Sequence, residues 1–418
     1  MNHKKDKALL KEYLPKLVKG KMTLNQVAIS TGYTVRQIYA IKKRYIEEGA
    51  SCLIHKGTNK PSPRRIPEEI RQKVVQLYLS KYDGYNFTFF NDILSDDYDI
   101  HLSYRTLYNI LNENGVKSPE KHHQKKIEKH HRTRTRRQNE GDLMQIDGTP
   151  FAWFSWCGDK SKYCIVAGVD DATSKLVSMY MTENECLYGY MEMLRICYEK
   201  YGSPREIYSD RAAIFCVTPR QKDKLTILEQ LQGVHEKKTQ WQRILDQMHI
   251  NQILAWSPQA KGRVERMWHT VQDRLPHYFK KHHIRTMEEA NKFMNEVFIP
   301  IYNEKFGKEP ADDDTFYARL NDDDLDQILC ARFPLRTDVN GQFKFRGMTF
   351  AVEGARYCAT KNIELCVNQQ GLMVYLGGQY YKCTLLDEII DEVNDLVPKV
   401  VKNIIQESLM RDMKKESA

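Results

Sequence analysis

Residues 117–139 divide this chain. They hold nine Lys or Arg, two Glu and four His, and Ile127 is their only aliphatic residue. Such a stretch has nothing with which to bury a core, so it reads as a basic linker, bounded at 117–140, and folded domains must lie on either side of it. The two sides differ in charge. Residues 1–140 carry 28 Lys and Arg against 15 Asp and Glu, net +13, while the remainder carries 36 against 40, net −4. A basic front end on a mildly acidic body points to nucleic acid. Length adds that the 418 residues make two to four domains.

Other classes are set aside on equally simple grounds. No apolar run approaches the roughly 18 residues that span a bilayer, and the N-terminal residues have no apolar core of the signal-peptide kind. Ten cysteines without a C-x-x-C pair indicate neither a zinc ribbon nor a disulfide framework. A cytoplasmic protein with reduced thiols, nucleoid-associated when bound to DNA and free of any membrane, is expected. The pairs His122-His123 and His130-His131 lack a Cys pair at matching spacing and are not read as zinc ligands.

The first 50 residues read as three helices. Leu9, Leu10, Tyr13, Leu14 and Leu17 recur at helical spacing, Thr23 and Thr34 are N-cap residues, and Gly32 makes the turn between the second and third helices. Two short helices joined by a Gly turn form a helix-turn-helix pattern over 1–50, whose second helix would present Arg36, Gln37, Lys42, Lys43 and Arg44 to DNA. After a Pro- and Lys-rich linker at 51–66, residues 67–116 repeat the theme as a second helix-turn-helix unit, with room for a small wing and with Tyr104 and Arg105 as groove candidates. In the basic linker the densest charge is Arg132, Arg134, Arg136 and Arg137.

From residue 141 the texture changes. Strands are expected at 143–147, 161–170 and 176–181, then a helix at about 186–201 and a short strand ending at Asp210. Another strand follows near 251–256, and a helix from about Gly262 is expected to break at Pro276. The order argues for a mixed α/β layer over 141–310, with 217–248 as an insertion of unassigned role. Between 330 and 385 apolar residues alternate between Gly turns, which predicts a small all-β barrel. Residues 386–418 read as a helical tail.

Three acids stand out. Asp147 ends an early strand, Asp210 ends a later one, and Glu265 opens a helix in which Lys261, Arg263 and Arg266 surround it with positive charge. Carboxylates in such places can converge at one sheet edge, and an oxygen donor set suits Mg²⁺. Metal ions held there would assist in-line phosphoryl transfer and relieve the mutual repulsion of the acids. Lys261 and Arg263 would face the DNA.

The segments Gln145-Ile146-Asp147-Gly148-Thr149, Tyr208-Ser209-Asp210 and Ser257-Pro258-Gln259-Ala260-Lys261-Gly262-Arg263-Val264-Glu265 resemble the three signature blocks of the DDE transposases of bacterial insertion sequences. Those enzymes belong with the retroviral integrase superfamily. The resemblance implies a multidomain chain: N-terminal all-α helix-turn-helix domains, a central α/β RNase H-like core and a C-terminal small all-β barrel. It implies Mg²⁺-dependent cleavage and strand transfer, with Mn²⁺ as a substitute ion, and Asp147, Asp210 and Glu265 as catalytic metal ligands. Terminal inverted repeats and target DNA would be the partners, bound by a homodimer or larger assembly on paired ends. The chain departs from the pattern in Arg211-Ala212 after the second acid, in the 54 residues between second and third acids, and in Gln272 where a basic residue is usual. Two competing functions are a sequence-specific DNA-binding repressor with an inactive core, and a structure-selective nuclease. The intact acid set argues against the first, and the tandem helical modules argue against the second.

Overall fold

A computed structural model describes residues 7–53, 65–119, 135–217, 238–255, 262–320, 325–354, 358–368 and 371–386. Arg132, Arg134, Lys261, most of the basic linker, residues 218–237 of the expected insertion and the expected helical tail lie outside the described residues. The chain forms two compact units, 1–121 and 122–418. Among the described residues, no helix is long and apolar enough to cross a membrane.

The first unit is helical. Helices α1 (Lys7–Val18), α2 (Leu24–Thr31) and α3 (Val35–Glu48) enclose Leu10, Leu14, Leu17, Val27, Ala28 and Ile38. Thr23 and Thr34 cap as expected. Each hydroxyl accepts from the backbone N–H three residues on, while Gln26 and Gln37 accept in return from the cap N–H, which satisfies two otherwise orphaned donors per helix. Gly32 takes φ 71°, a conformation that glycine reaches without strain. Helices α4 (Glu68–Lys81), α5 (Phe87–Tyr98) and α6 (Tyr104–Glu113) follow, knit by edge-on contacts of Tyr78 with Phe87 and Phe90. No strand occurs among the described residues of 65–116, so the second helical set carries no wing there.

In the second unit, β1 (Asn139–Glu140) leads into the main sheet. Strands β2 (Leu143–Phe151), β3 (Tyr163–Asp170) and β4 (Leu176–Thr182) form an antiparallel meander. Beside β2 lie β5 (Glu206–Ser209) and β6 (Asn251–Leu254), both parallel to it, giving the order β4-β3-β2-β5-β6. One face packs Met144, Ile146, Cys164 and Val166 against α7 (Leu187–Lys200) and α8 (Gln240–Gln247). The other packs Ile165, Ala167 and Val169 against α9 (Gly262–Lys281), α10 (Met287–Phe293) and α11 (Ile299–Phe306). This is the expected mixed α/β core.

One expectation about the helices needed revision. Helix α9 runs through Pro276 to Lys281. An interior proline costs about 3 kcal/mol, but Leu275 before it and Phe279 after it are fully buried, and Phe279 stacks on Phe154 with centroids 5.6 Å apart. Burying two such side chains offsets the lost backbone bond. The described part of 217–248, whose role the sequence left unassigned, packs into the core. Trp241, Ile244 and Leu245 of α8 lie inside the core, while Arg243 donates to the carbonyl of Cys330 and Gln240 bonds both backbone groups of Arg332.

Those contacts lead to the C-terminal sheet. After the short β7 (Asp312–Thr315), which pairs with β1, come β8 (Ala331–Arg336), β9 (Gln342–Phe345), β10 (Met348–Val352), β11 (Asn362–Asn368), β12 (Gly371–Leu376) and β13 (Gln379–Leu385). All neighbours are antiparallel, in the order β8-β11-β12-β13-β10-β9. The two edge strands approach one another through Phe333 and Phe345, whose ring centroids are 5.2 Å apart, so the sheet is barrel-like and nearly closed.

The edge strand of the main sheet is closed differently. Asn303, Asn295 and Asn291 each use the side-chain amide to accept from and donate to one β4 residue, namely Leu176, Met179 and Met181. A π turn at Met294–Phe298 lies among them. These amides occupy the backbone groups that an edge strand otherwise offers to another chain. Replacing Asn295 by Leu strips Met179 of both partners, so unfolding in urea is expected at about 1–3 kcal/mol less stability. A change within ±0.5 kcal/mol would show that the amide pairs contribute nothing.

Buried Glu192 on α7 supplies a pH prediction. It lies 3.6 Å from Arg195, which pairs with Asp326 at 2.7 Å. Burial outweighs these charges and pushes its carboxyl up to about 7. The folded chain therefore holds a proton that the unfolded chain releases at lower pH, and stability falls as pH rises from the ordinary carboxylate range through 7. The loss is roughly 3 kcal/mol across that window. Unfolding curves for Glu192→Gln at pH 5 and 7.5 should lack that part of the slope.

Candidate catalytic site

Asp147 does not end its strand as expected but sits within β2, half-buried, because pairing with β3 carries the strand on to Phe151. The neighbouring strand β5 runs parallel with Leu143 opposite Glu206, Met144 opposite Ile207 and Gln145 opposite Tyr208. Carried forward two residues, the register sets Asp147 level with Asp210, just past the end of β5. Level residues of parallel neighbours lie on the same face, on strands about 4.8 Å apart. Asp210 also ends its strand, since its Oδ1 accepts from the Ala212 N–H at 2.8 Å in an Asx turn.

Helix α9 lies along the same face of β2 and is held by three polar rungs. Gln145 donates through Nε2 to Oδ1 of Asp171 at 2.7 Å, and the Arg263 guanidinium binds that same oxygen. Trp268 donates its indole N–H to Oδ2 of Asp147 at 3.1 Å, and Gln272 donates to Oγ1 of Thr149 at 2.9 Å. Positions 145, 147 and 149 share one side of a pleated strand, and 268 and 272 are one helical turn apart. Glu265 lies in the first turn of α9, in sequence between the first and second rungs, and is exposed. The helix start there favours a negative charge.

Asp147 thus lies within β2, Asp210 just after β5, and Glu265 in the first turn of α9. Among the described residues, no three His, Cys, Asp or Glu side chains are gathered closely enough to hold a metal ion. The donor set itself, two level carboxylates and a third at a helix start, has the all-oxygen chemistry that fits a hard divalent cation. Behind Asp147 the backbone must pass close to other groups. A Cβ at Gly148 would stand 3.0 Å from the Glu185 carboxyl and 3.1 Å from the Tyr190 hydroxyl, which itself donates to Glu185 at 2.6 Å.

Other predicted site residues fall into distinct groups. Arg36 and Lys43 are exposed on α3, and Lys42 is half-buried. Gln37 accepts from the Thr34 N–H at 3.1 Å in the helix cap, and Arg44 donates to the Cys52 carbonyl at 2.9 Å. Tyr104 and Arg105 are exposed at the start of α6. Arg136 donates to the Ala172 carbonyl at 2.6 Å and to Ser174 at 2.9 Å, while Arg137 pairs with Glu206 and Asp142. With Arg263 on Asp171, these three arginines are engaged within the second unit. Sequence reasoning missed Trp268, whose signal was its spacing of three from Glu265, and Tyr39, 62% exposed on the α3 face that carries Arg36 and Lys43.

No protein-family model matches the chain. It is similar to the putative transposase y4bF of Sinorhizobium fredii (strain NBRC 101917 / NGR234), 32% identical over 323 residues, which cover 77% of this chain and 67% of that relative. It is also similar to the transposase for insertion sequence IS1202 of Streptococcus pneumoniae, 28% identical over 322 residues, covering 70% of this chain and 66% of the relative. The chain thus spans about two thirds of the length of these curated relatives. Among solved structures, the HTLV-2 integrase catalytic core domain in complex with magnesium is 17% identical, with 39% of this chain and 90% of that one covered and a TM-score of 0.27. The extended match to y4bF shows that the chain belongs to the transposases.

Proposed function

We propose that this transposase binds the ends of a mobile element, cleaves the DNA there and joins strands by metal-dependent phosphoryl transfer. The observation that supports this reading best is the parallel pairing of β2 with β5, whose register carried forward sets Asp147 level with Asp210, with α9 docked on Asp147 through Trp268. Asp147, Asp210 and Glu265 would hold Mg²⁺, and Mn²⁺ would substitute. Magnesium bound by them supplies Lewis-acid activation of water or a 3′-hydroxyl and neutralises charge on the leaving oxygen. The Trp268 indole N–H orients one oxygen of Asp147, and the Ala212 N–H orients one of Asp210.

The helical first unit would bind terminal inverted repeats, with Arg36, Lys42, Lys43, Tyr104 and Arg105 toward the DNA. Arg132, Arg134 and Lys261 would add phosphate contacts. A homodimer or larger assembly would pair two ends, and target DNA would enter the same core.

Cleavage of a labelled duplex carrying the element's own end tests the reading. Wild type with Mg²⁺ should cut at the end. Asp147→Asn, Asp210→Asn and Glu265→Gln should each reduce the rate by at least about a thousandfold while leaving end binding in place. Sequence-specific binding without cleavage in any divalent metal would instead favour a repressor. For the helical unit, Arg36→Ala should weaken binding across all sequences and lower the salt slope of log K by about 1. An unchanged slope would remove Arg36 from the interface.

A further inference from the structure

The sheet turn after β3 carries two consecutive buried aspartates, and they do different work. Asp170 serves the turn and its surroundings: it accepts from the Thr173 N–H and hydroxyl, each at 2.8 Å, and from the Gly141 N–H at 2.9 Å. Asp171 reaches away from the turn. Its Oδ1 takes the Gln145 amide and the Arg263 guanidinium, and its Oδ2 takes the Arg137 N–H at 2.9 Å. The carboxylate is fully buried, and the Arg263 side chain is 14% exposed.

Two of those partners stand at matched positions. Gln145 is two residues before Asp147 on β2, and Arg263 is two residues before Glu265 on α9. We propose that Asp171 is a positioning residue, whose single carboxylate sets the height of the α9 first turn against β2 and so places Glu265 relative to Asp147 and Asp210. This rests on the reading of those three acids as metal ligands. An apolar contact would hold helix to sheet at least as tightly, whereas a buried ion pair accepts only one register. The same bond also keeps a neighbouring cation occupied. Arg263 is given to Asp171, and Arg266 donates to the Gly262 carbonyl at 2.9 Å, so both guanidinium groups nearest Glu265 in sequence are directed to other oxygens.

The test uses the full chain as wild type, Asp171→Asn, Arg263→Lys, the double variant Asp171→Asn/Arg263→Gln, and Asp147→Asn. Two quantities are measured: the Mg²⁺-induced rise in Tm without DNA, and the Mg²⁺ concentration at half-maximal end cleavage. Asp171→Asn should raise the Mg²⁺ midpoint about 10- to 100-fold in both measurements and leave binding of the labelled end unchanged. The double variant should be no worse than Asp171→Asn alone, because the two residues act as one unit. Arg263→Lys, which keeps the charge without the planar fork, should fall between. A lower Tm with unchanged Mg²⁺ midpoints would reduce the pair to a stabilising contact and overturn the proposal. A wild-type response abolished by Asp147→Asn but kept by Asp171→Asn would sink this inference alone. No Mg²⁺ response in wild type, with Asp147→Asn indistinguishable from it, would sink the metal reading and this inference together.

Discussion

The docking of α9 on β2 and β3 is the contact on which the candidate site depends. Its apolar part, Val264, Met267, Val271 and Leu275 against Ile165, Ala167 and Val169, supplies most of the attraction. That part is non-directional and would tolerate a helix shifted by a turn. The polar rungs at Gln145, Asp147 and Thr149 are directional and would not. Hydrophobic burial therefore holds the helix to the sheet, and hydrogen bonding selects its height.

A similar division appears at the other end of the sheet. Edge strand β4 is buried by apolar side chains on both faces, yet its outward backbone groups are met by Asn291, Asn295 and Asn303. Side-chain amides there imitate a sixth strand. They end the sheet without leaving polar groups in a dry place, and they fix α10 and α11 against the core. Pro276 shows the same priority from the opposite direction. A residue that breaks helices in isolation is accommodated because Leu275 and Phe279 are worth more buried than the lost bond costs.

Local signals were legible wherever the chemistry was local. Thr23, Thr34 and Ser103 cap the helices that their spacing predicts, because a hydroxyl and an N–H three residues apart need no distant partner. The strands of the core and the alternating strands of the barrel were likewise readable, since each has a period set by its own pleat. Composition says less where a side chain could choose between near and far partners. Gln37, Arg44, Arg136 and Arg137 have backbone or carboxylate partners in the folded chain that composition alone does not reveal. The stretch from 217 to 248 reads as an insertion from the long spacing between Asp210 and Glu265, which says nothing of where it packs. The three residues that matter in α8, Trp241, Ile244 and Leu245, sit on one face and complete a core whose other walls are far away in sequence.

The sequence by itself determined the identities of the three acids, the cap residues, the periods of helix and strand, and the basic stretch that separates two folded units. These follow from covalent order and from interactions within a few residues. Only the tertiary structure decided the register of β2 on β5, that Trp268 meets Asp147, and that Asp171 joins Gln145 to Arg263. Register between strands and the height of a helix on a sheet are set by contacts among residues dozens of positions apart. No window of sequence contains both partners, so the geometry of the acids exists only once the chain has folded.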